Sequence, residues 1–126
     1  MTILALEFSS SLRSVALARE GKVLSEAAES GGYRVTNAFE LMKKVLATAG
    51  IPREDIEVIA IGLGPGSYTG IRAAIALAQG WQLGREVKLL GVSSAETLAA
   101  QAQAETLLGR INVVIDAQRG EFYLAQ

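Results

Sequence analysis

The sequence predicts a mixed α/β lobe. Three short extended segments open the chain, apolar stripes of helical period then alternate with apolar runs of strand length, and a glycine or capping signal stands at most junctions. No internal repeat, low-complexity tract or linker divides the 126 residues, which is enough chain for one core.

The elements follow in order. Residues 2–8, 14–19 and 22–28 read as strands, and Glu20-Gly21 forms a tight turn between the second and third, so the three make an antiparallel meander. Ser30-Gly31-Gly32-Tyr33 ends it. Over 36–49 the period changes: Ala38, Leu41, Met42, Val45, Leu46 and Ala49 fall on one helical stripe, Thr36 or Asn37 can cap its start, and Gly50 followed by Pro52 stops it. The continuous apolar run at 58–63 fits a central parallel strand covered on both faces. A helix over about 70–83, a strand over 87–92 and a helix opened by Ser93 follow, with Ser93 and Glu96 at capping-box spacing. Residues 111–116 and 121–125 read as two strands joined at Ala117-Gln118-Arg119-Gly120. The order β-β-β-α-β-α-β-α with right-handed crossovers describes a ribonuclease-H-like or actin-like lobe with a mixed sheet over residues 1–109. A closing hairpin is odd in a complete single lobe, so 110–126 reads as the start of a truncated second lobe.

Composition excludes much chemistry. There is no cysteine and no histidine, which removes disulfides, thiolate zinc sites, cysteine nucleophiles, imidazole ligands and the commonest general base. Any metal would have to be a hard cation held by oxygen, and any proton transfer would fall to Asp, Glu, Lys or Tyr. Lys and Arg total 12 against 13 Asp and Glu, without basic runs, which argues against unaided nucleic-acid binding. Residues 1–7 lack a basic flank and read as a strand rather than a leader. The longest apolar-rich stretch, 71–81, is too short to span a bilayer and is broken by Arg72 and Gln79. A soluble, cytoplasmic protein is the expectation.

The sharpest local feature is Gly64-Pro65-Gly66-Ser67-Tyr68-Thr69-Gly70-Ile71-Arg72, between a buried strand and a helix. Glycines allow close backbone approach and a helix start presents unpaired N–H groups, so an anion site is one reading. The other is a tight turn capped by Ser67 or Thr69, and the motif matches neither the dinucleotide fingerprint nor the P-loop. In the helix that follows, Ala73, Ala74, Ile75, Ala76, Leu77 and Ala78 are nearly consecutive, so one sheet cannot cover them all. Either the first helix of the same lobe covers the rest, or another molecule does. On the second reading Ala73, Ala74, Leu77, Ala78 and Trp81 form a partner interface, and Ala74→Arg weakens assembly while sparing the fold. Asp116 with Glu121 could be a carboxylate pair, although a turn-capping role for Asp116 is the simpler reading.

The glycine loop, together with Gly91-Val92-Ser93-Ser94-Ala95-Glu96 and Asp116-Ala117-Gln118-Arg119-Gly120-Glu121-Phe122-Tyr123, resembles the TsaB (YeaZ) family, and with Ile3-Leu4-Ala5-Leu6 the likeness spans essentially the whole chain. The resemblance implies an actin-like fold and a role in making N6-threonylcarbamoyladenosine at position 37 of ANN-decoding tRNAs, as a non-catalytic partner and stabiliser of the homologous subunit TsaD. It also implies a TsaE-like ATPase in the same complex, a homodimer or heterodimer through the helical face, and only indirect contact with tRNA. The older glycoprotease label fits poorly, because no zinc-peptidase ligand set can be assembled. Where the family begins with an Asp-Thr-Ser type turn this chain has Glu7-Phe8-Ser9, and where a histidine often follows the third strand it has Tyr33-Arg34-Val35-Thr36. ATP or ADP, if bound as in other actin-like proteins, would meet Glu7, Ser9, Gly64, Gly66 and Ser67. The bulk of Phe8 and the lack of a second lobe argue against it, so no tightly bound cofactor and no metal is expected. The enzyme alternatives are a two-metal nuclease using Glu7 and Glu40, which lacks its third acid, and an actin-like small-molecule kinase, which needs two lobes.

Overall fold

Alternation along the first strand decides the architecture. In the computed structural model, which describes residues 1–30 and 38–126, β1 (Thr2–Glu7) buries Leu4 and Leu6 on one face and leaves Ile3 and Ala5 half-covered on the other. The expectations for the loop at Gly31 and Gly32, for Tyr33 to Val35, and for a cap at Thr36 or Asn37 lie outside the described residues. Strands β2 (Leu12–Arg19) and β3 (Lys22–Ser30) complete the antiparallel meander, and both are longer than the sequence suggests because they pair from Leu12↔Ser30 to Arg19↔Lys22. Glu20 (φ 50°) and Gly21 (φ 75°) are both left-handed, as a two-residue hairpin turn between twisted strands requires. On its other side β1 pairs in parallel with β4 (Val58–Gly62), and β4 in parallel with β5 (Lys88–Val92), giving the order β3-β2-β1-β4-β5.

Register carries the core across the sheet. Leu4 lies between Leu17 and Ile59, and Leu6 between Val15 and Ile61, so one face is a contiguous aliphatic surface. Helices α1 (Ala38–Ala49) and α2 (Tyr68–Gly84) cover it, with Met42 and Val45 of the first and Ala74 and Ala78 of the second entering the same buried cluster. Fully burying a Leu, Ile or Val side chain stabilises by roughly 1.5–3 kcal/mol, so these rows hold the lobe together. The buried hydroxyl of Ser25 donates to the Val45 carbonyl at 2.7 Å, which ties the edge strand to α1 without leaving a polar orphan. Gly50 (φ 64°) ends α1, and a single 3₁₀ turn, Arg53–Asp55, leads to β4; one turn carries no periodicity and was invisible in the sequence.

Helix α3 (Ser94–Ala104) starts with the expected capping box, the Ser93 hydroxyl accepting from the Glu96 N–H at 3.1 Å and the Glu96 carboxylate from the Ser93 N–H at 3.0 Å. Ser93→Ala is expected to cost about 1 kcal/mol in a denaturant titration. The backbone and hydroxyl hydrogen bonds from Ser93 hold Glu96 below its ordinary carboxylate value. A depressed folded-state pKa stabilises above the unfolded-state value, and that contribution is lost as pH falls through the folded one. An acid titration should therefore show Glu96→Gln converging on wild type at low pH, whereas the deficit of Ser93→Ala, which lacks the hydroxyl that accepts from the Glu96 N–H, should largely persist.

Strands β6 (Val113–Gln118) and β7 (Glu121–Ala125) pair with one another as a separate two-stranded sheet. Asp116 Oδ1 accepts from the Gln118 N–H at 2.7 Å, the turn-capping role expected of it. Among the described residues, no helix is long and apolar enough to cross a membrane.

Candidate functional site

The carboxyl ends of the parallel strands β1, β4 and β5 meet at one edge of the sheet, the place where open α/β sheets usually receive ligands. Here the chain fills that edge itself. Gly62, Gly66 and Gly70 are spaced by four residues, and each faces one residue of the stretch Glu7 to Ser9, the last residue of β1 and the start of the turn after it. A Cβ on Gly62 would strike the Glu7 carboxylate, one on Gly66 the Ser9 carbonyl oxygen, and one on Gly70 the Phe8 carbonyl oxygen. Hydrogen bonds lock the contact: the Ser67 N–H donates to the Ser9 carbonyl at 2.6 Å, the Ser94 N–H to the Gly64 carbonyl at 2.8 Å, and the Ser9 and Ser94 hydroxyls lie 3.0 Å apart. Gly64 (φ 82°) has a cis bond to Pro65 and turns the chain there, while the Ser67 hydroxyl caps α2 by accepting from the Gly70 N–H at 3.2 Å.

The residues named for nucleotide binding, Glu7, Ser9, Gly64, Gly66 and Ser67, are thus brought together, but against one another. The Ser9 N–H donates to Glu7 Oε1 at 2.7 Å, so a carboxylate of the chain occupies that donor. The room that Gly66 opens is filled by Ser9. As they pack here, these residues do not fit a phosphate cradle. The Phe8 ring, whose bulk was expected to crowd this turn, is fully buried in the core instead, and it is the backbone of Phe8 and Ser9 that faces the glycines. Glu40, the other acid of the nuclease reading, pairs with Lys43 at 2.9 Å, and among the described residues no three acids converge as metal ligands.

The helical face divides the expected interface residues in two. Ala74 and Ala78 are 0% exposed and pack on the sheet, which corrects their assignment to a partner surface. Their four-residue spacing puts them, with Gly70, on the inward side of α2. Ala73, Leu77 and Trp81 are half-buried against the core. Between α1 and α2 the packing leaves an open groove of about 550 Å³, floored by Phe39, Leu77 and Trp81 and edged by Lys43, Arg53 and Arg85. The first helix therefore covers the other side of α2 only in part. Among the described residues nothing lies within 4 Å of a Cβ position on Gly80 or Gly84, so α2 leaves room there for a close neighbour. Sequence reasoning missed Phe39, which is 62% exposed; its signal was a large aromatic lying off the apolar stripe of its helix.

The profile of TsaD, described as tRNA N6-adenosine threonylcarbamoyltransferase, matches residues 31–126. The chain belongs to this family. Among its relatives is the tRNA threonylcarbamoyladenosine biosynthesis protein TsaB of Escherichia coli (strain K12), 36% identical over 126 residues, covering 100% of this chain and 54% of that protein. The Bacillus subtilis (strain 168) protein of the same name is 34% identical, covering 98% and 53%. The structure of YeaZ from Pseudomonas aeruginosa superposes with a TM-score of 0.89 at 34% identity over 98% of this chain and 58% of that one. The TsaB resemblance and the actin-like, ribonuclease-H-like fold are thereby borne out. The chain spans about half the length of the curated relatives it matches.

Proposed function

We propose that this chain acts in threonylcarbamoyladenosine formation on tRNA as a non-catalytic partner that holds and stabilises a TsaD subunit through the groove between α1 and α2. The observation that carries the reading is that groove: an apolar floor with an exposed aromatic, left open by a lobe whose usual ligand edge is filled by its own loops. The family and the TsaB relatives supply the pathway, and the lack of histidine and cysteine supports the absence of bond chemistry in this chain. A cytoplasmic location and indirect contact with tRNA through the complex, which would include a TsaE-like ATPase, belong to the same reading. Residues 1–109 form the actin-like lobe of the proposal. In the same reading the hairpin begins a second lobe; the exposed Val114, Phe122 and Leu124, which share one face of it, support that assignment.

The test uses Trp81, the only tryptophan, as a reporter in the groove. Titrating a purified TsaD subunit should change its fluorescence saturably, and Phe39→Ala should weaken the association by about 30-fold, as for a central aromatic anchor. A saturable complex with unchanged fluorescence and full affinity in Phe39→Ala places the docking elsewhere.

A further inference from the structure

The five-stranded sheet ends differently on its two sides. On one side β3 carries Lys22, Glu26 and Glu29, and its register with β2 shifts between Leu17 and Ala18; charges and bulges are the usual protection of an open edge. On the other side β5, Lys88-Leu89-Leu90-Gly91-Val92, has one charge, at its first residue, no proline, and an unbroken register with β4. Among the described residues no strand pairs with its outer side. The Lys88 N–H donates to the Glu57 carbonyl at 3.0 Å and the Val92 carbonyl accepts from the Leu63 N–H at 2.8 Å, so residues 88, 90 and 92 turn their backbone groups toward β4. The N–H and C=O groups of Leu89 and Gly91, one residue out of phase, therefore face outward. Apolar side chains flank them: Leu90 is 50% exposed on the sheet face away from α1 and α2, and Leu63, 48% exposed, lies over Gly91.

We infer that this edge pairs with the same edge of a second copy of the chain, antiparallel and two-fold about Leu90, so that the two sheets continue into one. Register is the argument for that occupant. Centred on Leu90, the pairing sets Leu89 opposite Gly91 of the second copy and Gly91 opposite Leu89 of the second copy, and these are the residues whose backbone groups face outward. Each of these pairs exchanges both of its hydrogen bonds, while Leu90 meets its own counterpart at the axis as the closer, non-hydrogen-bonded pair. The side chains agree with the backbone. Leu63, lying over Gly91, stands beside Leu89 of the second copy, which its own lobe leaves half-buried, and the two Leu90 side chains cover each other. No like charges oppose one another along the strand: Lys88 faces Val92 of the second copy, at the strand end where α3 starts and the Glu96 carboxylate stands. The contact is separate from the groove between α1 and α2 and does not depend on what docks there.

Sedimentation equilibrium of the 126-residue chain over about 1–300 μM tests it. Wild type should show a reversible monomer–dimer equilibrium. Leu90→Lys and Leu90→Glu, at an exposed position, each set two like charges at the axis and should raise the dissociation constant about tenfold or more while keeping wild-type thermal melts. Mixed in equal amounts, the two variants should pair with each other about as tightly as wild type, and about 500 mM salt should weaken that mixed pair selectively. Such rescue requires position 90 to meet itself. Hydrogen exchange on wild type needs no variant: the Leu89 and Gly91 amides should gain protection as concentration rises. A wild type that stays monomeric over the whole range, amides unchanged by concentration, or folded variants that show no rescue when mixed each overturn the pairing. Self-association that Ala76→Arg abolishes and Leu90→Lys leaves untouched puts the second copy on the helical face, and overturns it as well. A Leu90→Lys protein with a normal melt that no longer binds a TsaD subunit gives the edge to that partner instead.

Discussion

Gly70→Ala should unfold the lobe or lower its melting temperature by about 10 °C or more, a loss of about 3 kcal/mol. The sign is opposite to the usual one, since Gly to Ala inside a helix normally stabilises by about 0.5–1 kcal/mol. The reversal comes from one contact: a methyl group on Gly70 would lie on the Phe8 carbonyl oxygen, which is backbone and cannot swing aside. Gly80→Ala, in the same helix, meets nothing within 4 Å and should show the normal gain. Differential scanning calorimetry on the pair separates a packing role for the glycine loop from an anion-binding one. If the loop were shaped for a ligand, Gly70→Ala would leave the melt of the free protein nearly untouched and affect only the bound state.

Ala74→Arg is the second large effect. Ala74 is fully enclosed between α2 and the sheet, so arginine there places an unpaired charge in the core, at a cost of about 4 kcal/mol or more. Folded domains are stable by only about 5–15 kcal/mol, and the variant should be mostly aggregated or proteolysed on expression. Ala76→Arg, two positions along, sits on the exposed groove side and should keep a wild-type circular dichroism melt while losing partner binding. A folded Ala74→Arg protein that merely fails to assemble would restore the sequence expectation that Ala74 faces a partner.

The fold was legible because its period signals were strong. The alternating β1, the continuous run at β4, the α1 stripe and the Ser93–Glu96 box each specify an element without tertiary help. The interface was half legible for a physical reason. In α2 every position from Ala73 to Ala78 is small or aliphatic, so the apolar pattern has no direction, and only the sheet decides that Ala74 and Ala78 turn inward. The glycine loop was visible but not its meaning. Glycine signals that something approaches closely, and whether that is a phosphate or the chain's own turn depends on a strand sixty residues earlier. The basic rim was hidden because Lys43, Arg53 and Arg85 come from three separate segments.

Hydrogen–deuterium exchange on this chain with and without a saturating TsaD subunit tests the account most directly. It predicts new protection over α1 and over the part of α2 from Ala76 to Gly84, with the amides around Gly62 to Gly70 unchanged because that edge is already sealed from within. Protection confined to the glycine loop or the closing hairpin, with the groove exchanging as in the free protein, would contradict it.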